Sequence, residues 1–233
     1  MKKHLTALLI TLALCVGTAW AGDFEDGVAA HEKKDFTTAV RQYKSAAAQG
    51  NTSAQINLGF MYRNGQGVVQ DYAEAMSWFK LAAAQGYAQA QTDVGYMYSE
   101  GQGVIQDYAE AVRWYKLAAA QGNAAGQYNL GIMYEKGEGL VQDYVEAVRW
   151  YKLAAAQGLA QAQRSLGRTY GIGQGVVQDY IRAHMWYNLA AAVGHSTAVT
   201  GRDLVAKLMT QQQVAEAQKL ARECQARNFK NCD

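Results

Sequence analysis

Gly65-Gln66-Gly67-Val68-Val69-Gln70-Asp71-Tyr72 returns three times, nearly unchanged, at Gly101–Tyr108, Gly137–Tyr144 and Gly173–Tyr180, each copy 36 residues after the last. A fixed period between about 20 and 50 residues marks an architecture in which one supersecondary unit stacks on its neighbours. Four full units follow from it, at 51–86, 87–122, 123–158 and 159–194.

Each unit opens on a run such as Ala54-Gln55-Ile56-Asn57-Leu58-Gly59-Phe60-Met61-Tyr62, rich in helix formers, and the chain contains no proline. This is helix A. The Gly-x-Gly that follows ends it, because glycine tolerates the left-handed conformation of a helix C-terminus. Helix B starts at Asp71, Asp107, Asp143 and Asp179, where an Asp N-cap accepts a bond from an otherwise unpaired backbone N–H. Glu74, Glu110 and Glu146 stand three residues on, as a capping box requires, and Arg182 takes that place in the fourth unit. Ala75, Trp78 and Ala82 share one face of helix B, with Phe79 and Ala83 beside it, which puts the tryptophans in the core. Gly86, Gly122, Gly158 and Gly194 close the units. Two helices per unit, short joints and no strand signal predict an all-α, right-handed α/α solenoid of stacked antiparallel helix pairs.

The flanks read as caps. Residues 22–50 give two short helices that end in the unit's closing Ala-Ala-Ala-Gln-Gly but lack the Gly-x-Gly loop. In 195–233, Thr210 and Gln213 form a capping-box pair, and Val214, Ala217, Ala221 and Cys224 line one face of a polar helix. No linker-like composition divides 22–233.

Residues 1–21 resemble a cleaved signal peptide: Lys2 and Lys3, an apolar run from Leu5 to Val16, then Ala19-Trp20-Ala21. Roughly 12 apolar residues fall short of the about 20 that span a bilayer, so no membrane insertion is expected after cleavage. Losing Lys2 and Lys3 takes Lys+Arg from 22 to 20, against 20 Asp+Glu, and that balance offers no general field for nucleic acid or anionic lipid. In the oxidising compartment this implies, Cys224 and Cys232 are expected to form a disulfide, two free thiols being the alternative.

Leu58-Gly59-x-x-Tyr62, Gly65-x-Gly-Val-x-Gln-Asp-Tyr72 and Ala75-x-x-Trp78-Phe79-x-x-Ala82-Ala83-x-x-Gly86 resemble the Sel-one-like repeat, a relative of the tetratricopeptide repeat. The resemblance covers 51–194 in four copies and, more loosely, both flanks. It implies an adaptor that binds a protein or peptide, in envelope signalling or host contact for exported bacterial members. It implies no cofactor.

Chemistry is sparse. His31, His184 and His195 lie in different units without a second ligand at metal spacing, so edge or surface positions and no metal site are expected. The Gly-x-Gly loops lack the Lys-Ser/Thr and the preceding strand of a phosphate site. Ser77-Trp78-Phe79-Lys80 fits Ser-x-x-Lys, which keeps a β-lactam or cell-wall hydrolase as an alternative, but Arg113, Arg149 and Met185 replace the Ser elsewhere and no Ser-Asp-Asn or Lys-Thr-Gly accompanies it. A purely structural envelope component is the other alternative. No catalytic residue is assigned.

Within helix A, three positions vary while their neighbours repeat: Ile56, Phe60, Arg63; Thr92, Tyr96, Ser99; Tyr128, Ile132, Glu135; and Arg164, Arg168, with Gly171 in third place. Spacings of four and three put each trio on one helical face. The first helix of each unit lines the concave side of a solenoid, so these trios are expected to form a partner groove, aromatic in the early units and basic at Arg164 and Arg168. Such a groove suits a peptide with hydrophobic anchors and an acidic end.

Overall fold

Each loop between the paired helices is a backbone device built from the repeated octapeptide. The computed structural model describes residues 22–232, so the expected signal segment lies outside the described residues. Helix α1 covers 22–32, followed by α2 (Phe36–Ala48), α3 (Thr52–Asn64), α4 (Tyr72–Ala84), α5 (Ala88–Glu100), α6 (Tyr108–Ala120), α7 (Ala124–Lys136), α8 (Tyr144–Ala155), α9 (Ala160–Ile172), α10 (Tyr180–Ala192), α11 (Ser196–Ala206) and α12 (Gln211–Ala226). Odd helices through α11 serve as A and even ones through α10 as B. No strand occurs among the described residues. The fold is an α/α solenoid of consecutive antiparallel pairs. The chain divides into two compact units, one ending at Gln106 and one beginning at Asp107.

In the first unit, Gly65 takes the left-handed conformation at φ 67° and ends α3. Gly67 is needed for another reason: a Cβ there would lie 2.4 Å from the Phe36 carbonyl group at the start of α2. Gly103 meets Tyr72 in the same way. The loop is buckled by Gln70, whose amide donates to Arg63 O at 2.7 Å, as Gln106 does to Ser99 O. The second unit repeats the device. Gly139 abuts Tyr108, Gly175 abuts Tyr144, and Gln142 and Gln178 each close the loop at 2.8 Å.

Asp71, Asp107, Asp143 and Asp179 are the N-caps, each accepting a backbone N–H through its side chain. The expected capping boxes of helix B are not formed. The backbone N–H of Asp71, Asp143 and Asp179 already donates to Tyr62 O, Tyr134 O and Tyr170 O, so none is left for Glu74 or Glu146. Glu110 and Glu146 pair instead with Arg113 and Arg149 one turn on, while Arg182 pairs with its own cap, Asp179. The box at Thr210 and Gln213 does form.

In the first four helix pairs the core is filled by the helix-B aromatic at the position of Phe79. Tyr43 and Phe79 in the first unit, and Tyr115 and Tyr151 in the second, are at most 2% exposed. Three of them press on a helix-A glycine, Gly27 receiving Tyr43, Gly59 receiving Phe79 and Gly131 receiving Tyr151, and the partly buried Tyr187 does the same at Gly167. The tryptophans, expected in the core, are only partly buried at 78, 114 and 150, because they lie to one side of the face that meets helix A. Trp186 alone of these is fully covered, at 2% exposed.

Buried glutamines set the stacking register. Gln55 donates to Ala47 O and accepts from Gln85 at 2.8 Å; Gln127 donates to Ala119 O and accepts from Gln157 at 2.9 Å. Gln91 and Gln163 make the corresponding bonds to Ala83 O and Ala155 O. A buried amide left unmatched by a one-residue slip costs more than its bond gains, which makes the ladder a register lock.

The last pair departs from the repeat. Helix α12 lies on α10, burying Ala217, Ala221 and Cys224. Beneath it Met185 and Leu189 are 1% and 3% exposed, whereas Leu117 and Leu153, the counterparts of Leu189, are 43% and 42% exposed. On α6 and α8 the counterparts of Met185 are Arg113 and Arg149, each stacked 4.7 Å over its neighbouring Trp ring. The Cys224–Cys232 disulfide is present, and Phe229, inside its loop, rests on Gly158.

Candidate functional site

The varying helix-A positions separate by burial. In the first unit Ile56, Thr92 and Ser99, expected on a groove, are 8%, 4% and 6% exposed. Thr92 Oγ1 and Ser99 Oγ donate to Ala88 O and Tyr96 O of their own helix, so neither is offered to a partner. Phe60 and Arg63 remain partly open and Tyr96 is exposed. Phe60 meets Phe79 edge to face, with ring centroids 5.1 Å apart, and the Arg63 guanidinium lies 4.8 Å above the Phe60 ring. Arg63 reaches Asp93 at 3.5 Å, and Gln89 donates to the other oxygen of Asp93.

Asp93 was not singled out in the sequence. Its counterparts Asn57, Asn129 and Ser165 are neutral, which was the available signal. Burial pushes its pKa up to about 6, against the opposing effects of Gln89 and Arg63. A pocket of about 440 Å³ lies beside Phe60, lined by Val28, His31 and Asn57 over Tyr43. Burial raises the Tyr43 phenol as well.

In the second unit Tyr128, Ile132, Glu135, Arg164 and Arg168 are all partly exposed. Tyr128 tilts against Tyr151 with ring centroids 5.7 Å apart. Glu135 is clasped from two sides: Arg168 Nη2 lies 2.5 Å from its Oε2, and the Tyr151 hydroxyl donates to the same oxygen at 2.7 Å. Burial first, and then the Glu135 charge, raise the Tyr151 pKa. Arg164, one helical turn before Arg168, has no hydrogen bond, ion pair or ring stacking among the described residues, and its Nε is buried.

No nucleophile and base are brought together at Ser77. Its hydroxyl donates back to Ala73 O, and the Lys80 amine donates to Tyr98. Among the described residues no group of three His, Cys, Asp or Glu is placed to hold a metal, and no helix is long and apolar enough to cross a membrane. His184, expected at an edge or surface, is 2% exposed, since it takes the inward position of Met76 and Val112. Burial and the nearby Arg202 hold its pKa below the usual imidazole range.

No functionally curated protein matches the chain. Among solved structures, a Sel1 repeat protein of Oxalobacter formigenes is 34% identical, superposes with a TM-score of 0.74 and shares 88% of either chain. A protective antigen of uropathogenic Escherichia coli with this repeat fold is 33% identical, with a TM-score of 0.77 over 82% of the chain. The chain spans 42% of that protein's length. An immunity protein of Pseudomonas aeruginosa shares the fold alone, at 21% identity and a TM-score of 0.56, over 87% of this chain and 83% of its own. The Sel1 repeat model matches at 24–51, 52–87, 88–123, 124–159 and 160–195, so the first helix pair is a repeat in its own right, and the chain belongs to the Sel1 repeat family.

Proposed function

We propose that the chain is an exported, non-enzymatic scaffold that holds a protein or peptide partner on its helix-A faces, with the pairs at 22–50 and 195–233 closing the two ends of the stack. One observation carries this. The repeated glycines, glutamines, Asp caps and core aromatics each have a structural task, whereas Phe60, Tyr96, Tyr128, Ile132, Arg164 and Arg168 vary from copy to copy and remain open to solvent. Freedom to vary at a partly open, aromatic and charged surface is what a binding face needs and a core does not permit. Export is supported by the apolar leader, by the Cys224–Cys232 disulfide and by the protective-antigen relative.

The test is affinity capture from envelope extracts with the wild-type chain and with Phe60→Ala/Tyr96→Ala. Loss of a defined partner from the folded double variant is expected; undiminished recovery would remove the helix-A face from consideration. A chromogenic β-lactam should turn over at background rate with wild type and Ser77→Ala alike. Hydrolysis abolished by Ser77→Ala would overturn the non-enzymatic assignment.

A further inference from the structure

We infer that the second unit recognises a carboxylate on its partner, held by Arg164 in the way that Arg168 holds Glu135; this rests on the helix-A face being the binding face. The filled clasp shows the chemistry. A guanidinium and a tyrosine hydroxyl, Arg168 and Tyr151, converge on one oxygen of Glu135. A second arginine and a second tyrosine lie nearby, although the repeat position of Arg168 itself passes to Leu204. Arg164 lies on the same face of α9, and Tyr187 is the counterpart of Tyr151 in the next repeat. Tyr187 packs on Gly167 and Gly201, and both Arg164 and Arg168 act electrostatically on its phenol. Its hydroxyl has no hydrogen-bond partner among the described residues. Nothing in the unit plays the part of Glu135 for this second set.

Arg164 is also costly as it stands. Its Nε is buried without an acceptor, whereas the side chain as a whole is partly exposed, so a carboxylate would meet the terminal nitrogens of the guanidinium. The third position of the face is Gly171, so no side chain screens the approach as Glu135 does one repeat earlier. Tyr128 holds the Arg164 position in the preceding repeat, where its partly exposed ring tilts against Tyr151. The occupant is therefore a peptide segment with a carboxylate next to an apolar residue, the carboxylate being a side chain or a chain terminus.

The probe is an array of eight-residue peptides in which apolar residues flank one Glu, each beside its Gln version, with free and amidated C-termini, incubated with the full chain. Wild type should retain Glu over Gln, or free over amidated termini, by roughly tenfold. Which pair differs identifies the source of the carboxylate. Arg164→Gln should level the two while circular dichroism stays unchanged. Equal retention of acid and amide by wild type, or a preference that survives Arg164→Gln, would overturn the inference. If that indifferent binding still falls in Phe60→Ala/Tyr96→Ala, the helix-A face stands and only the carboxylate is lost. No binding by any peptide removes both.

Discussion

Phe79 occupies the space that a side chain on Gly59 would need: a Cβ there would lie 2.5 Å from the ring. Gly59→Ala should therefore destabilise the chain by about 1–3 kcal/mol, the usual cost of overpacking a tight core. Gly171→Ala, also within a helix, meets only ordinary contacts at 3.7 and 3.8 Å and should stabilise by about 0.5–1 kcal/mol through helix propensity. Denaturant titration of both variants checks the pair, which must differ in sign.

Asp93 gives a pH dependence whose direction follows from its raised pKa. Between 3.8 and about 6 the folded carboxyl keeps a proton that the unfolded one has lost, so its contribution favours the fold in acid and is lost as pH rises through about 6. Asp93→Asn, which installs the residue of the equivalent positions 57 and 129, should stabilise at pH 7 by at most about 3 kcal/mol. That gain should vanish below about pH 4. Melting curves of the two proteins across pH 4 to about 8 measure it.

Reduction of the Cys224–Cys232 bond should free the tail around Phe229. The cysteines are eight apart in sequence, and a loop of that size implies a stability loss of about 2–3 kcal/mol by loop-closure entropy. A Cys232→Ser variant should match the reduced wild type in Tm and show no further shift with reductant.

Gln157→Ala removes a donor from Gln127 Oε1 and from Gly122 O. Leaving the buried Gln127 carbonyl short of a partner should cost about 1–2 kcal/mol. Gln161→Ala, an exposed glutamine of α9 outside the ladder, should lie within about 0.5 kcal/mol of wild type. Thermal melts of both distinguish a register lock from general polarity.

The solenoid was legible because its signals are backbone requirements repeated at one period: left-handed glycines, Asp caps and the 36-residue spacing. What failed depended on rotation about a helix axis. Trp78 and Phe79 are neighbours 100° apart on an ideal helix, and either satisfies an apolar pattern. Only the matching hole at Gly59 shows that Phe79 is the one that faces inward. The capping boxes failed because the Asp N–H was spoken for by a carbonyl nine residues back, beyond any local pattern. Among the candidate binding residues, Phe60 and Arg164 were visible as variation between copies. Thr92 and Ser99 varied equally but were buried, and variation alone does not distinguish open surface from tolerant core.

The exchange of Arg149 for Met185 at one helix-B position bears on how the end of the array is covered. An arginine lying across its own tryptophan seals that flank with charge, and the next pair is free to follow without competition from a folded-back helix. A methionine leaves the flank greasy, and α12 settles there instead. The open flank of α10 is thus covered by the chain's own last helix, whereas the matching flanks of α6 and α8 are covered by an arginine.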